Sequence, residues 1–234
     1  MTTDKSPHEE IRHHFEQELE EIKHGTIQLC SLVLENTKRL GDALVNNRLD
    51  LAEQVVEADR EIDELYSALE AKTFLTIALQ QPVAVDLRFL VSTTRLLYEI
   101  ERSGDLAVNA ARGMLRHHGY DLAPSIHGLL ARICEATPRV LAMAIDALGD
   151  MDPEAAIRID DEDDVVDNLV GEFYALIAGE SAEPDMETVI ELSRTARYLE
   201  RIADHAVNIG DHVCYVVTGS FPAHSVEAGP KDRG

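Results

Sequence analysis

Long stretches of the chain carry apolar residues at alternating spacings of three and four, and this helical period is the strongest constraint on the fold. The first such stretch runs from Ile11 to Leu44, and no segment shows the sustained two-residue alternation of a half-buried strand. Glycine and proline, which interrupt helices, number only 13 and 8 among the 234 residues. So few breakers over this length favour a small number of long helices.

Capping and breaking residues divide this pattern into six helical segments. Ser6 and Pro7 offer an N-cap followed by a proline at the first helical position. The Gln81-Pro82 step ends the second segment, because proline cannot continue the helical hydrogen bonds. The predicted helices cover about 6–46, 49–79, 82–117, 125–148, 152–178 and 185–217.

Two motifs recur in the same order in both halves of the chain. The segment 101–109 matches 200–208 at six of nine positions, 99 residues later, and 59–65 aligns with 163–169, 104 residues later. The difference in offset falls between the second and third helix of each half, where 80–88 has no counterpart beyond Pro184-Asp185. Two ordered anchors indicate duplication of a three-helix unit. We therefore predict an all-α chain of two tandem three-helix bundles, with repeats at 7–118 and 119–218 and a disordered tail at 219–234.

The charge of the chain limits its partners and its location. With 44 acidic and 21 basic side chains, the formal net charge is −23. Duplex nucleic acid and anionic lipid would repel such a protein, so we expect no nucleic-acid partner and membrane association only through partner proteins. Three widely spaced cysteines indicate no disulfide scaffold, and no secretory or membrane-spanning segment is evident. These features favour the cytoplasm.

Acidic residues four apart form stripes on the second and third helix of each half. At 100° per residue, Glu200, Asp204, Asn208 and Asp211 fall within an arc of about 80°. Carboxylate oxygens without cysteine suit Mg²⁺, Mn²⁺ or iron. Spacing alone favours an ordinary solvated helix face, and the recurrence of the same residue types in both halves weakens that interpretation. The candidate metal ligands are Asp59, Asp63, Glu101, Asp105, Asp163, Asp167, Glu200, Asp204, Asn208 and Asp211.

At these motifs the sequence resembles the PhoU family of phosphate-transport accessory and phosphate-signalling proteins, over about residues 10–218. The resemblance implies a pair of three-helix bundles that dimerises and whose acidic motifs bind metal clusters in some members. This chain departs from the repeat at Arg112, which aligns with Asp211 and puts a full metal cluster in the first half in doubt. The residues that carry the resemblance are Gln81-Pro82-Val83-Ala84, Asp86-Leu87-Arg88, Glu101-Arg102, Gly104-Asp105 and the run from Glu200 to Ile209.

The resemblance further implies a regulator that restrains phosphate uptake and phosphate-starvation signalling. The expected partners are the ATPase subunit of a phosphate ABC transporter, a sensor histidine kinase and a second copy of the chain. The expected cofactor is a divalent or trivalent metal, namely Mg, Mn, Fe or Zn, with no organic cofactor and no catalytic residues. Two alternatives stay open: a carboxylate-bundle metalloenzyme, either an oxidase or a phosphohydrolase, and a purely structural helical module.

Overall fold

A computed structural model describes residues 7–179 and 186–222 of the chain. Over these residues the protein contains six α-helices and no β-strand, which confirms the predicted all-α class. The predicted N-cap at Ser6, most of the segment before the last helix and the end of the tail lie outside the described residues. The helices are α1 (Pro7–Asn46), α2 (Leu49–Gln80), α3 (Ala84–Arg116), α4 (Pro124–Asp150), α5 (Ala155–Gly179) and α6 (Met186–Thr218).

The turn between α2 and α3 is longer than the sequence predicts. We expected α3 to begin at Pro82, but it begins at Ala84. Gln81 adopts the left-handed conformation, with φ 48° and ψ 54°, and so ends α2. Val83 is extended, with φ −129° and ψ 162°, and Ala84 has a φ of 51°. Left-handed geometry costs a non-glycine residue about 1–2 kcal/mol, so this turn is held against a local preference.

Equivalent helices of the two halves pack antiparallel to each other. At one end of the α3–α6 pair, the Arg88 Nε donates to the Val216 carbonyl over 3.3 Å. At the other end, Arg116 pairs with Glu191 at 3.4 Å. Helices α1 and α4 run antiparallel in the same way. Lys23, near the middle of α1, donates to the carbonyl of Gly149 at the end of α4, and His127 near the start of α4 pairs with the carbonyl of Val45 at the end of α1.

The two bundles share one core. Within each half the three helices pack on one another, and α3–α6 and α1–α4 contacts join the halves. The buried apolar side chains form a single cluster that draws on all six helices. Unfolding of one half would therefore expose core surface of the other. None of the described helices combines the length and apolar character needed to cross a bilayer.

The close approach of α5 to α6 depends on Gly210, and this generates a test of the packing. A Cβ atom at this position would lie 2.8 Å from Ile159 Cδ1 and 3.3 Å from the Ala156 Cα. We expect Gly210→Val to lower the free energy of unfolding by about 1–3 kcal/mol, because the helices must move apart. Thermal unfolding monitored by circular dichroism measures this loss.

Gly171→Ala is the matched control, since Gly171 lies within α5 and has no neighbour within 4 Å of the added Cβ. Removal of a helical glycine there should raise stability by about 0.5–1 kcal/mol. An unchanged melting temperature in Gly210→Val would contradict the packing described for α5 and α6.

Candidate functional site

The first half brings two acidic pairs together between α2 and α3. Asp59 and Asp63 lie one turn apart on α2, and Glu101 and Asp105 lie one turn apart on α3. Burial together with Asp63 and Asp105 raises the pKa of Asp59. Burial and Asp105, with smaller effects of Asp63 and Asp59, likewise raise the pKa of Glu101. The four carboxylates therefore lie within electrostatic range of one another, and we call them the first acidic cluster.

Two arginines partly neutralise the first acidic cluster. Arg112 Nη2 lies 3.4 Å from Asp59 Oδ2, and Arg102 Nη1 donates to Asp105 Oδ2 over 3.0 Å. The position that the sequence marks as the departure from the repeat thus places a guanidinium on a candidate ligand. A metal ion binding here would compete with Arg102 and Arg112 for the carboxylates.

The second half repeats the arrangement of two acidic pairs. Asp163 and Asp167 on α5 and Glu200 and Asp204 on α6 form what we call the second acidic cluster. Asp163 is only 8% exposed, and burial together with Asp167 and Asp204 raises its pKa to about 8. Arg197 pairs with this cluster, since its Nη1 lies 2.6 Å from Glu200 Oε1.

Two buried oxygens of the second acidic cluster lack hydrogen-bond partners. Asp163 Oδ1 and Glu200 Oε2 are each enclosed without a donor. A buried carboxylate oxygen that accepts no hydrogen bond costs free energy, and either a proton or a metal ion relieves that cost. Among the described residues, no group of three or more His, Cys, Asp or Glu side chains is already arranged to hold a metal ion. Binding would therefore require the carboxylates to rotate.

The remaining two candidate ligands of α6 lie one or more turns further along the helix than Glu200 and Asp204. The Asn208 Nδ2 donates over 3.0 Å to Glu99 Oε2, which belongs to α3. Asp211 is buried, 8% exposed, and lies in the final two turns of α6. The predicted arc of about 80° is correct for an isolated helix. However, α6 packs on both α3 and α5, and Asn208 of this stripe is hydrogen-bonded to α3.

A partly buried polar network joins the two halves, and the sequence does not predict it. The sequence suggests that Glu99 is a rim charge, but its side chain is enclosed between α3 and α6 and lies 2.5 Å from His205 Nδ1. Burial opposes ionisation of Glu99, yet the hydrogen bonds from His205 and Asn208 prevail and lower its pKa. Burial lowers the pKa of the neighbouring His212, against the effect of Glu99 and Asp211.

A comparison of the two repeats offers a signal for this network. At an offset of 99 residues, Glu99 aligns with Tyr198, and His205 aligns with Leu106. Polar residues that replace apolar ones at equivalent points of a duplicated helix indicate a contact particular to one side. The pairing of Glu99 with His205 depends on the antiparallel register of α3 and α6, which sequence spacing does not supply.

The buried Asp163 generates a prediction on stability and pH. Its pKa of about 8 in the folded protein exceeds the ordinary value of 3.8, so the folded state binds the extra proton between these limits. Stability from this group is therefore complete at low pH and is lost as pH rises towards 8. We expect metal-free Asp163→Asn to be more stable than wild type at pH 8.5 and to depend less on pH.

Thermal unfolding in chelator at pH 5.5, 7.0 and 8.5 measures this dependence. The control is Asp161→Asn, which neutralises an exposed acid on the same helix. Equal pH slopes for wild type and Asp163→Asn would contradict the environment assigned to Asp163.

Comparison with known proteins extends over nearly the whole chain. A family model described as the PhoU domain matches twice, over residues 26–114 and 130–213. The two matches begin 104 residues apart and end 99 residues apart, and these are the offsets of the two sequence anchors. The duplication predicted from the sequence is thereby confirmed, while the outer boundaries 7–118, 119–218 and 219–234 stay predictions.

Relatives and solved structures agree with this match. A protein named phosphate-specific transport system accessory protein PhoU homolog, from Synechocystis sp., is 32% identical over 209 residues, covering 89% of this chain and 93% of that protein. The crystal structure of PhoU from Pseudomonas aeruginosa superposes with a TM-score of 0.83 at 27% identity, covering 88% of this chain and 100% of that one. The phosphate transport system regulatory protein PhoU from Streptococcus pneumoniae gives a TM-score of 0.81 at 26% identity, with coverage of 89% and 99%. This chain belongs to the PhoU family.

Proposed function

We propose that this chain restrains phosphate uptake and phosphate-starvation signalling without catalysing a reaction. In this proposal it acts in the cytoplasm as an adaptor between the ATPase subunit of a phosphate ABC transporter and a sensor histidine kinase. The observation that carries the proposal is the near full-length match to proteins named for accessory and regulatory roles in phosphate transport. A regulator of this kind needs partner surfaces rather than a reaction centre.

Expression of the chain in a bacterium that lacks its own PhoU-family protein tests this function. We expect it to lower a reporter of phosphate-starvation genes at high phosphate, and to leave the reporter active at low phosphate. Coprecipitation at high phosphate, followed by identification of the bound proteins, should recover a transporter ATPase or a sensor kinase. A folded, expressed chain that leaves the reporter unrestrained at high phosphate would contradict the proposal.

We also propose that the acidic clusters bind metal, and the second acidic cluster fits a metal ion better. Asp163, Asp167, Glu200 and Asp204 would hold it, because the unpartnered oxygens of Asp163 and Glu200 favour a cation. A bound metal would supply positive charge to this cluster. The first acidic cluster fits less well, since Arg102 and Arg112 already neutralise part of it.

The difference between the clusters predicts an order of filling. At about 6 Å and an effective dielectric of 20, each unit charge changes the energy of a monovalent cation by on the order of 2–3 kcal/mol before screening. We expect Mn²⁺ to fill the second acidic cluster first, and Arg112→Asp to raise occupancy of the first. Anomalous scattering or paramagnetic broadening during a metal titration measures both sites.

Two results would overturn this order: both clusters empty at millimolar metal, or the first filling before the second. Arg139→Asp is a suitable control for the first acidic cluster, because Arg139 belongs to α4 and pairs with Glu135 and Glu162 rather than with residues of α2 or α3. It makes the same change of net charge and should leave the first acidic cluster unchanged.

The same samples separate the regulator from the alternative metalloenzyme. A carboxylate-bundle enzyme would show ferroxidase or phosphatase turnover in the metal-loaded protein that disappears in Asp204→Ala. The regulator requires no such turnover. The homodimer implied by the family resemblance stays a prediction, for which sedimentation velocity is the direct measurement.

A further inference from the structure

Exposed apolar side chains are concentrated at the tip of the α2–α3 hairpin. Among the described residues, fourteen large apolar side chains are exposed, and seven of them lie between positions 74 and 91. Large exposed apolar patches on a folded protein mark interaction surfaces. We define the hairpin patch as Phe74, Leu75, Leu79, Val83, Val85, Leu87 and Val91, whose exposed fractions range from 39% to 72%.

The hairpin patch also avoids charge in a highly charged protein. No Asp, Glu, Lys or Arg occurs in the thirteen residues from Thr73 to Val85, although 28% of the chain is charged. At that fraction, such a segment would carry about four charges. Solubility alone would favour charged residues at an exposed tip, so the apolar surface calls for another explanation.

Part of the patch recurs at the equivalent place of the second half. At an offset of 99 residues, Leu87 and Val91 align with Met186 and Ile190, which are 74% and 45% exposed. Exposed positions in a duplicated segment are free to become polar unless a contact uses them. The rest of the patch comes from residues 74–85, and the extra five residues of the first half fall between its second and third helix.

The apolar pair of each half shares a helix face with an acidic cluster. On α3, Leu87, Val91, Glu101 and Asp105 fall within an arc of about 80°. Tyr98 continues this face. It lies within electrostatic range of Tyr66 on α2, and Tyr66 is also within electrostatic range of Glu101. The surface along α2 and α3 is therefore apolar at the hairpin tip and acidic further along.

We infer that the hairpin patch and the first acidic cluster together bind an amphipathic helix of a partner protein. Its apolar residues would lie on the patch, and Lys or Arg residues further along would lie on Asp63 and Glu101. This inference rests on the proposed adaptor function and assigns it a surface. Charge favours a basic partner over a second copy, because each copy carries −23, and over an anionic membrane.

Synthetic helical peptides of about 18 residues test the assignment on the full chain in chelator. The probe peptide carries leucines along one end and lysines along the other, and its control replaces the lysines with glutamates. Fluorescence anisotropy should show binding of the lysine peptide and at least about tenfold weaker binding of the glutamate peptide.

Variants of the chain locate the site of binding. Val91→Ser and Leu79→Ser should each weaken binding of the lysine peptide by about tenfold or more. Val165→Ser is the matched control, since Val165 is 41% exposed on α5 against 47% for Val91, and it should bind like wild type. All three side chains are exposed, and unchanged melting temperatures will show that the variants fold.

Several outcomes would overturn the inference. These are no binding of the lysine peptide to wild type, equal binding of the glutamate peptide, or equal losses in Val165→Ser and Val91→Ser. If Leu79→Ser abolishes cosedimentation with phosphatidylcholine vesicles, the patch binds lipid instead. If Leu79→Ser dissociates a dimer, the patch binds a second copy of the chain. A wild-type chain that restrains the reporter but fails the peptide test overturns this surface and leaves the proposed function standing.

Discussion

The antiparallel packing of α3 against α6 is the constraint on which the rest of the structure depends. Each of these helices contacts its own bundle and the other half as well. Only a narrow strip of each helix is therefore exposed to solvent, and this strip carries the acidic residues. On α3, the partly buried Glu99 side chain faces α6 and is hydrogen-bonded to it. Glu101 lies instead on the exposed strip, near the acidic residues of α2. The acidic clusters therefore lie on the helix faces that are not packed in the core.

The same packing explains why the two halves are no longer equivalent. A duplicated unit begins with identical faces, but the α3–α6 contact places a polar network of Glu99, His205 and Asn208 on one side only. The Glu99 side chain is only 15% exposed, yet it remains ionised because hydrogen bonds from His205 and Asn208 outweigh the cost of desolvation and lower its pKa. Charged hydrogen-bonded groups of this kind fix the register of two helices more sharply than apolar contacts do. At the equivalent positions on the opposite side the chain has Tyr198 and Leu106, which cannot form such a charged pair.

Much of the fold follows from the sequence because its signals are local. Period, capping and proline placement predict six helices whose bounds differ from the structure by at most about three residues. The largest difference lies at the start of α5, which begins at Ala155 rather than at 152, and left-handed residues delay the start of α3 by two residues to Ala84. The acidic pairs on α2 and α3 also follow from spacing, since both positions lie on one face. By contrast, the association of Asn208 with Glu99 depends on the crossing of two helices distant in sequence, and the burial of Asp163 depends on packing across α5 and α6. Neither has a local signature.

The outer strip of the first half would combine the two proposed activities, metal binding and partner binding, on one surface. Along α3 the exposed apolar residues Leu87 and Val91 lead directly to Glu101 and Asp105, and α6 repeats this order. A cation bound among the carboxylates would reduce the negative potential at the acidic end without changing the apolar end. A basic partner would then meet a surface of the same shape but of weaker attraction. Because electrostatic complementarity acts chiefly on selectivity and association rate, the two proposals together predict that a bound metal would influence partner choice through this strip.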